Sequence, residues 1–182
     1  PAGGFAFGGW QAPLIDEVVG EQIWSGMAGM DALLLGRRTY DIFAAYWPHA
    51  NGEIARLFNR IQKYVASRGT PALEWAGSTL LGPDVAAAVR ELRDRHEHVH
   101  VIGSLDFVQT LFAEQLFDRL TLWVYPILLG SGKKVFADGV VPTNLRLIEP
   151  VVASPKGAVL QRYALADGTP GVGDMSSGDQ AG

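Results

Sequence analysis

The stretch DALLLGRRTYDIFAAYWPHA, residues 31–50, decides how the chain is read. Ala32, Leu33, Leu34 and Leu35 form an apolar run with no polar break, the pattern of a short strand buried on both faces of a sheet. Gly36 stops that run, and residues 39–47 then read as a helix halted by Pro48. A buried strand thus feeds a helix through Gly36-Arg37-Arg38-Thr39. The same arrangement recurs further on: His98-Val99-His100-Val101-Ile102-Gly103 reads as a strand, and residues 104–115 as a helix with Phe107, Val108, Leu111 and Phe112 on its inner face. In an open α/β sheet such junctions lie beyond the carboxyl ends of the strands, where helix-start amides point outward and favour anions.

The remaining chain fits this frame. Residues 14–28 carry Ile15, Val18, Val19, Ile23 and Met27 at helical spacing, with Pro13 near the first turn. Residues 53–61 and 84–96 read as amphipathic helices, residues 64–67 and 78–81 as brief strands. Residues 119–129, 144–152 and 158–165 are extended, so the order is α/β first and strand-rich at the end. The expected architecture is three-layer αβα: a mixed, mostly parallel twisted sheet between helices, with an antiparallel C-terminal edge.

A chain of 182 residues, 48% of them hydrophobic and 19% charged, suffices for one globular domain with its own core. Residues 1–166 are expected to form that domain. The Gly-, Ser-, Asp- and Pro-rich residues 167–182 are expected to be a disordered tail. A net charge of −4 gives no general attraction to nucleic acid or to an anionic membrane, so phosphate recognition must rest on locally placed arginines and lysines. The absence of cysteine excludes disulfides, thiolate catalysis and cysteine-ligated metals. No apolar run approaches the roughly 20 residues of a membrane span, and no signal peptide is evident, so a cytoplasmic protein is expected.

Gly130-Ser131-Gly132-Lys133 invites a phosphate-loop reading. A Walker-type loop needs a glycine five places before its Gly-Lys pair and a hydroxyl residue after it; Ile127 and Lys134 stand there. The sequence after Lys133 reads as a short extended piece and a turn, not a helix. The junctions carry the stronger chemistry. Gly36-Arg37-Arg38-Thr39 offers two guanidinium groups, a hydroxyl and helix amides within four residues, a set suited to a pyrophosphate or ribose phosphate. Gly103-Ser104 combines a permissive glycine with an N-cap hydroxyl. Asp106 suits the helix dipole but repels a phosphate aimed at the same amides, so basic side chains from elsewhere are required, Arg68 being one. His96, His98 and His100 alternate, but no supporting carboxylate motif is evident, and no metal site is expected. Trp24, Trp47, Trp75 and Trp123 read as core or pocket wall.

Four segments in order, DALLLGRRTYDIFAAYWPHA, KYVASR, VHVIGSLDFVQTLF and FDRLTLWVYPILLGSGKKVFADG, resemble the dihydrofolate-reductase-like family that includes the reductase domain of bacterial riboflavin biosynthesis. The resemblance covers about residues 4–163. It implies an NADPH-dependent reductase of a small heterocyclic molecule, pterin-like or ribosylaminopyrimidine-like. Gly36, Arg37, Arg38 and Thr39 would meet the adenosine 2'-phosphate and the pyrophosphate, with Ser67 and Arg68 flanking the adenosine end. Gly103, Ser104 and the amide of Leu105 would close on the pyrophosphate. Gly130, Ser131, Gly132 and Lys133 would shape the cleft, Lys133 as an anion contact, and Tyr125 and Pro126 would wall the substrate.

Two features depart from the family. Leu105 stands where many relatives carry a small residue, crowding the approach to the phosphates. Relatives also begin with a core strand and a Ser-Leu-Asp-Gly-like segment that would precede Pro1. Either the sequence is truncated or the sheet lacks that strand and exposes unpaired edges, which favours association; a homodimer is expected. Asp16 is the candidate proton donor, with water as an equal contender. The competing expectation is a nucleotide-binding or oligomer-forming protein of the same fold without turnover.

Overall fold

The computed structural model describes residues 5–173. After a short 3-10 turn at Ala12–Leu14, the elements are α1 (Glu17–Met27), β1 (Ala32–Gly36), α2 (Arg37–Tyr46), α3 (Glu53–Arg60), β2 (Gln62–Ala66), β3 (Ser78–Leu80), α4 (Val85–Arg95), β4 (Val99–Val101) and α5 (Leu105–Ala113). Then follow β5 (Arg119–Val124), β6 (Leu145–Leu147), β7 (Val152–Ala153) and β8 (Val159–Leu165).

β1 is the spine of a parallel sheet of order β3-β2-β1-β4, and every one of its residues is buried. Successive strand side chains point to opposite faces. Leu33 and Leu35 pack with Tyr40, Leu57, Phe58 and Trp75 on the α2/α3 side. Ala32 and Leu34 pack with Val89, Leu92, Phe107 and Leu111 on the α4/α5 side. The unbroken apolar run therefore serves two cores, each fully buried leucine contributing about 1.5–3 kcal/mol of transfer free energy. Parallel register aligns Gly36 with Ala66 and Leu34 with Val101, so the carboxyl ends of β1, β2 and β4 share one rim.

The late strands form a sheet of their own, antiparallel, in the order β5-β8-β6 with β7 also on β8. Rather than edging one continuous sheet, they are joined to β4 by no ladder among the described residues, so the outer edges of β4 and β5 have no strand partner there. The extended stretches predicted at 119–129 and 144–152 are also shorter. β5 stops at Val124, two residues before Pro126, and Pro150 separates β6 from β7; proline has no N–H for a ladder.

Two helix starts differ from expectation. α1 begins at Glu17 rather than residue 14, because Asp16 caps it and Pro13 belongs to the preceding turn. α2 begins at Arg37, so Arg37, Arg38 and Thr39 are its first turn and Gly36 both ends the strand and caps the helix. Of the C-terminal segment, residues 167–173 carry no helix or strand, and residues 174–182 lie outside the described residues. Among the described residues no helix is long and apolar enough to cross a membrane.

Candidate functional site

The two strand–glycine–helix junctions interlock. The Gly36 N–H donates to Gly103 O at 3.1 Å. A Cβ on Gly36 would stand 2.3 Å from Ser104 Oγ, and one on Gly103 would stand 2.9 Å from Thr39 Oγ1. Gly103 also has φ +113°, a conformation that disfavours any side chain. Both glycines are thus required by close approach, and they bring the starts of α2 and α5 onto one rim. Asp16 caps α1 through Val19 N–H and Asp84 caps α4 through Ala87 N–H, but neither α2 nor α5 has a described side chain on its first-turn amides. Ser104, expected to cap with its hydroxyl, makes no such bond; its Oγ lies against Gly36 instead. The rim therefore presents two helix N-termini with their partial positive charge available.

The arginines stand in different states. Arg37 Nε donates to Asp41 Oδ1 at 2.7 Å within α2. Arg38 is exposed, its Nη1 3.8 Å from Asp106 Oδ2. Ser67 and Arg68 follow β2 on the same rim; Ser67 Oγ accepts from Gly69 N–H, and exposed Arg68 has no ion pair among the described residues.

No helix follows Gly130-Ser131-Gly132-Lys133, in keeping with rejection of a Walker loop. The loop is fastened to α5. Gln109 donates through Nε2 to Val135 O at 2.9 Å and accepts at Oε1 from Ala137 N–H at 3.3 Å, while Lys133 Nζ lies 3.9 Å from Asp106 Oδ1. On its other side, a Cβ on Gly132 would meet the Phe5 ring at 3.8 Å. Between loop and α5 runs an open groove of about 280 Å³, lined by Leu105, Asp106, Gln109, Lys133, Lys134 and Ala137 among others.

Tyr125 and Pro126 belong to a separate aromatic corner. Tyr125 packs edge-on against Trp10 at 5.2 Å and stacks near Trp123 at 6.3 Å, and burial pushes its phenol above the ordinary value. Pro126 abuts Gly157. Asp16 is occupied structurally: Oδ1 accepts from Val19 N–H at 3.0 Å and Oδ2 from Lys156 N–H at 3.1 Å. The Val19 N–H above all holds its carboxyl below the usual range, against an opposing effect of desolvation. Ionised and doubly bonded, it is a helix cap and a tether for the 154–157 turn.

The histidines serve the opposite end of the sheet. Asp31 accepts from Glu97 N–H and His98 N–H, and His96 Nε2 lies 2.8 Å from Tyr64 Oη. Burial foremost lowers His100, followed by the charges of His98 and Arg119. Sequence reading missed Gln109, Trp10 and the Asp41 partner of Arg37. Only Asp41 had a legible signal, since residues four apart meet on a helix.

Residues 25–158 match the family model of the RibD C-terminal domain. The uncharacterized protein YyaP of Bacillus subtilis is 24% identical over 125 residues; the match covers 65% of this chain and 66% of that protein, just under two thirds of its length. A solved structure of a protein named for riboflavin biosynthesis, from Shewanella sp. PV-4, superposes with a TM-score of 0.67 at 16% identity, over 84% of this chain and 81% of that one. A pyrimidine reductase-like protein of Corynebacterium diphtheriae superposes with a TM-score of 0.61 at 15% identity, over 86% and 84%. At these identities the structural likeness is one of fold, the dihydrofolate-reductase-like fold that the sequence resembles. With the family model spanning well over half of its residues, the chain belongs to the RibD C-terminal domain family.

Proposed function

We propose that the protein is an NADPH-dependent reductase that transfers a hydride to a small heterocyclic substrate, pterin-like or ribosylaminopyrimidine-like. The observation that carries this reading is the contact of Gly36 with Gly103 and Ser104, which sets two uncapped helix N-termini beside Arg37 and Arg38. Backbone amides, guanidinium groups and an ammonium are the donor set of a phosphate site, so the residues fit the phosphorylated end of a dinucleotide. Arg37, Arg38 and Thr39 would hold the 2'-phosphate and pyrophosphate together with Gly36, with Ser67 and Arg68 at the adenosine end. Gly103, Ser104 and Leu105 would close on the pyrophosphate, and Gly130, Ser131, Gly132 and Lys133 would border it. Tyr125 and Pro126 would wall the substrate. The cofactor would supply the hydride, and the protein would bind it, orient it and provide a proton route. The name of the Corynebacterium protein, pyrimidine reductase-like, agrees with this chemistry. The same reading takes residues 1–166 as the reductase domain of a cytoplasmic homodimer.

Calorimetry with NADPH and NADH tests it. NADPH should bind about tenfold or more tightly than NADH, from one or two charge-assisted hydrogen bonds to the 2'-phosphate. Arg37→Ala and Arg68→Ala should narrow the gap. Equal affinities would remove the 2'-phosphate role, and no binding of either would leave only the fold. A second reading, nucleotide binding without turnover, draws on the commitment of the Asp16 carboxylate to two backbone N–H groups. It predicts NADPH binding with no NADPH oxidation across folates, pteridines, ribosylaminopyrimidines and quinones.

A further inference from the structure

We propose that Asp106 acts as an internal anion, a specificity-determining carboxylate that holds Arg38 and Lys133 until a ligand phosphate displaces it; this rests on the cofactor reading above. Its two oxygens face two cations from different parts of the chain: Oδ2 is 3.8 Å from Arg38 Nη1 on α2, and Oδ1 is 3.9 Å from Lys133 Nζ on the glycine loop. Asp106 itself sits in the first turn of α5, whose amides attract its charge as they would a phosphate.

Both contacts are long, and the three side chains are 76%, 67% and 54% exposed for Arg38, Asp106 and Lys133. Such pairs are weak and exchange readily. The Arg37–Asp41 pair, at 2.7 Å and within one helix, is tighter. Gly130 and Gly132, at φ +70° and +128°, flank Ser131 and allow the tight turn that precedes Lys133. The same carboxylate and Lys133 line the open groove. A phosphate reaching this rim gains Arg38, Lys133 and the α5 amides but is repelled by Asp106, so the carboxylate lowers affinity and makes a weakly charged ligand a poor competitor for the two cations.

The test is calorimetric titration of NADPH and of inorganic pyrophosphate into the wild type, Asp106→Asn, Asp106→Glu, Lys133→Met and the Asp106→Asn/Lys133→Met double variant. Asp106→Asn should tighten both ligands about three- to tenfold at low salt, the effect of removing one or two exposed charge pairs. Asp106→Glu should stay within about twofold of wild type, and high salt should close the gap. In the Lys133→Met background the gain should fall by about half or more; a purely structural effect on α5 would be the same in both backgrounds. Unchanged or weaker binding by Asp106→Asn, with wild-type NADPH binding intact, overturns the proposal. Wild type that binds pyrophosphate but not NADPH overturns the cofactor reading alone, and the pyrophosphate series then decides the role of Asp106. Binding of neither ligand by any variant overturns both.

Discussion

Gly36 and Ser104 are in contact so close that a single added methyl has no room: a Cβ on Gly36 would stand 2.3 Å from Ser104 Oγ and 3.0 Å from its amide nitrogen. The hydroxyl can rotate away, but the backbone cannot. Gly36→Ala should therefore push the start of α5 off the rim, costing about 1–3 kcal/mol of stability by overpacking. NADPH affinity should fall with it. Urea unfolding and calorimetry check this, and an unchanged Cm with unchanged affinity would show that the junctions do not act as a unit.

That contact also marks where sequence reading reached its limit. The run from Ala32 to Leu35 specified a doubly buried strand because four apolar residues in a row leave no solvated face, and the structure buries all of them. The glycines announced junctions. What they could not announce was that Gly36 and Gly103 touch, because that depends on the parallel register of β1 with β4. The partition of the late strands was hidden for the same reason: strand pairing is non-local, whereas prolines such as Pro126 and Pro150 act locally. Asp106 was legible as a first-turn acid in conflict with a phosphate, but its two cations come from residues far away in the chain.

Lys63 is fully buried, and its ammonium donates to Phe58 O at 3.0 Å and Ile61 O at 2.9 Å while lying 4.5 Å from the centre of the Trp75 ring. It thereby satisfies carbonyls at the end of α3. Burial brings its pKa down from 10.5 to about 8. Between those values the unfolded chain keeps the proton that the folded protein has released, so stability should rise with pH from about 8 to 10.5 and lack that increment below pH 8. The increment is on the order of 1–3 kcal/mol. Lys63→Met should abolish this rise and, by leaving buried carbonyls unpaired, cost about 1–3 kcal/mol at pH 7. Urea unfolding of both proteins at pH 7, 8, 9 and 10 measures the difference; parallel curves would refute the assignment.

The Asp16 carboxylate accepts from two backbone N–H groups, which predicts an effect on stability that can be measured separately from any proton transfer. Its pKa is depressed on folding, so its contribution is present above the ordinary carboxylate value of 3.8 and is lost as pH falls through the lower folded value. Asp16→Asn should lower the Tm at pH 7, and the gap to wild type should close under acid conditions. If the protein turns over, the pH profile of kcat should keep its shape in this variant. A lost limb of that profile would instead make Asp16 the donor.

Gln109 ties the far limb of the glycine loop to α5 with both ends of its amide, donating to Val135 O and accepting from Ala137 N–H, and it also donates to Leu105 O on its own helix at 3.2 Å. A neutral clamp of this kind is insensitive to salt, unlike the Lys133–Asp106 pair nearer the rim. Removing it should free the loop without moving α5, which the core anchors through Phe107 and Leu111. Two hydrogen bonds worth about 0.5–1.5 kcal/mol each hold the loop, so Gln109→Ala should raise the population of its open form about five- to a hundredfold. Trypsin should then cut after Lys133 or Lys134 correspondingly faster at every salt concentration, while global unfolding in urea shifts little. NADPH should reverse the gain if the loop borders the bound cofactor. Cutting at the wild-type rate would mean that other contacts along residues 133–141 hold the loop and that the Gln109 amide is incidental.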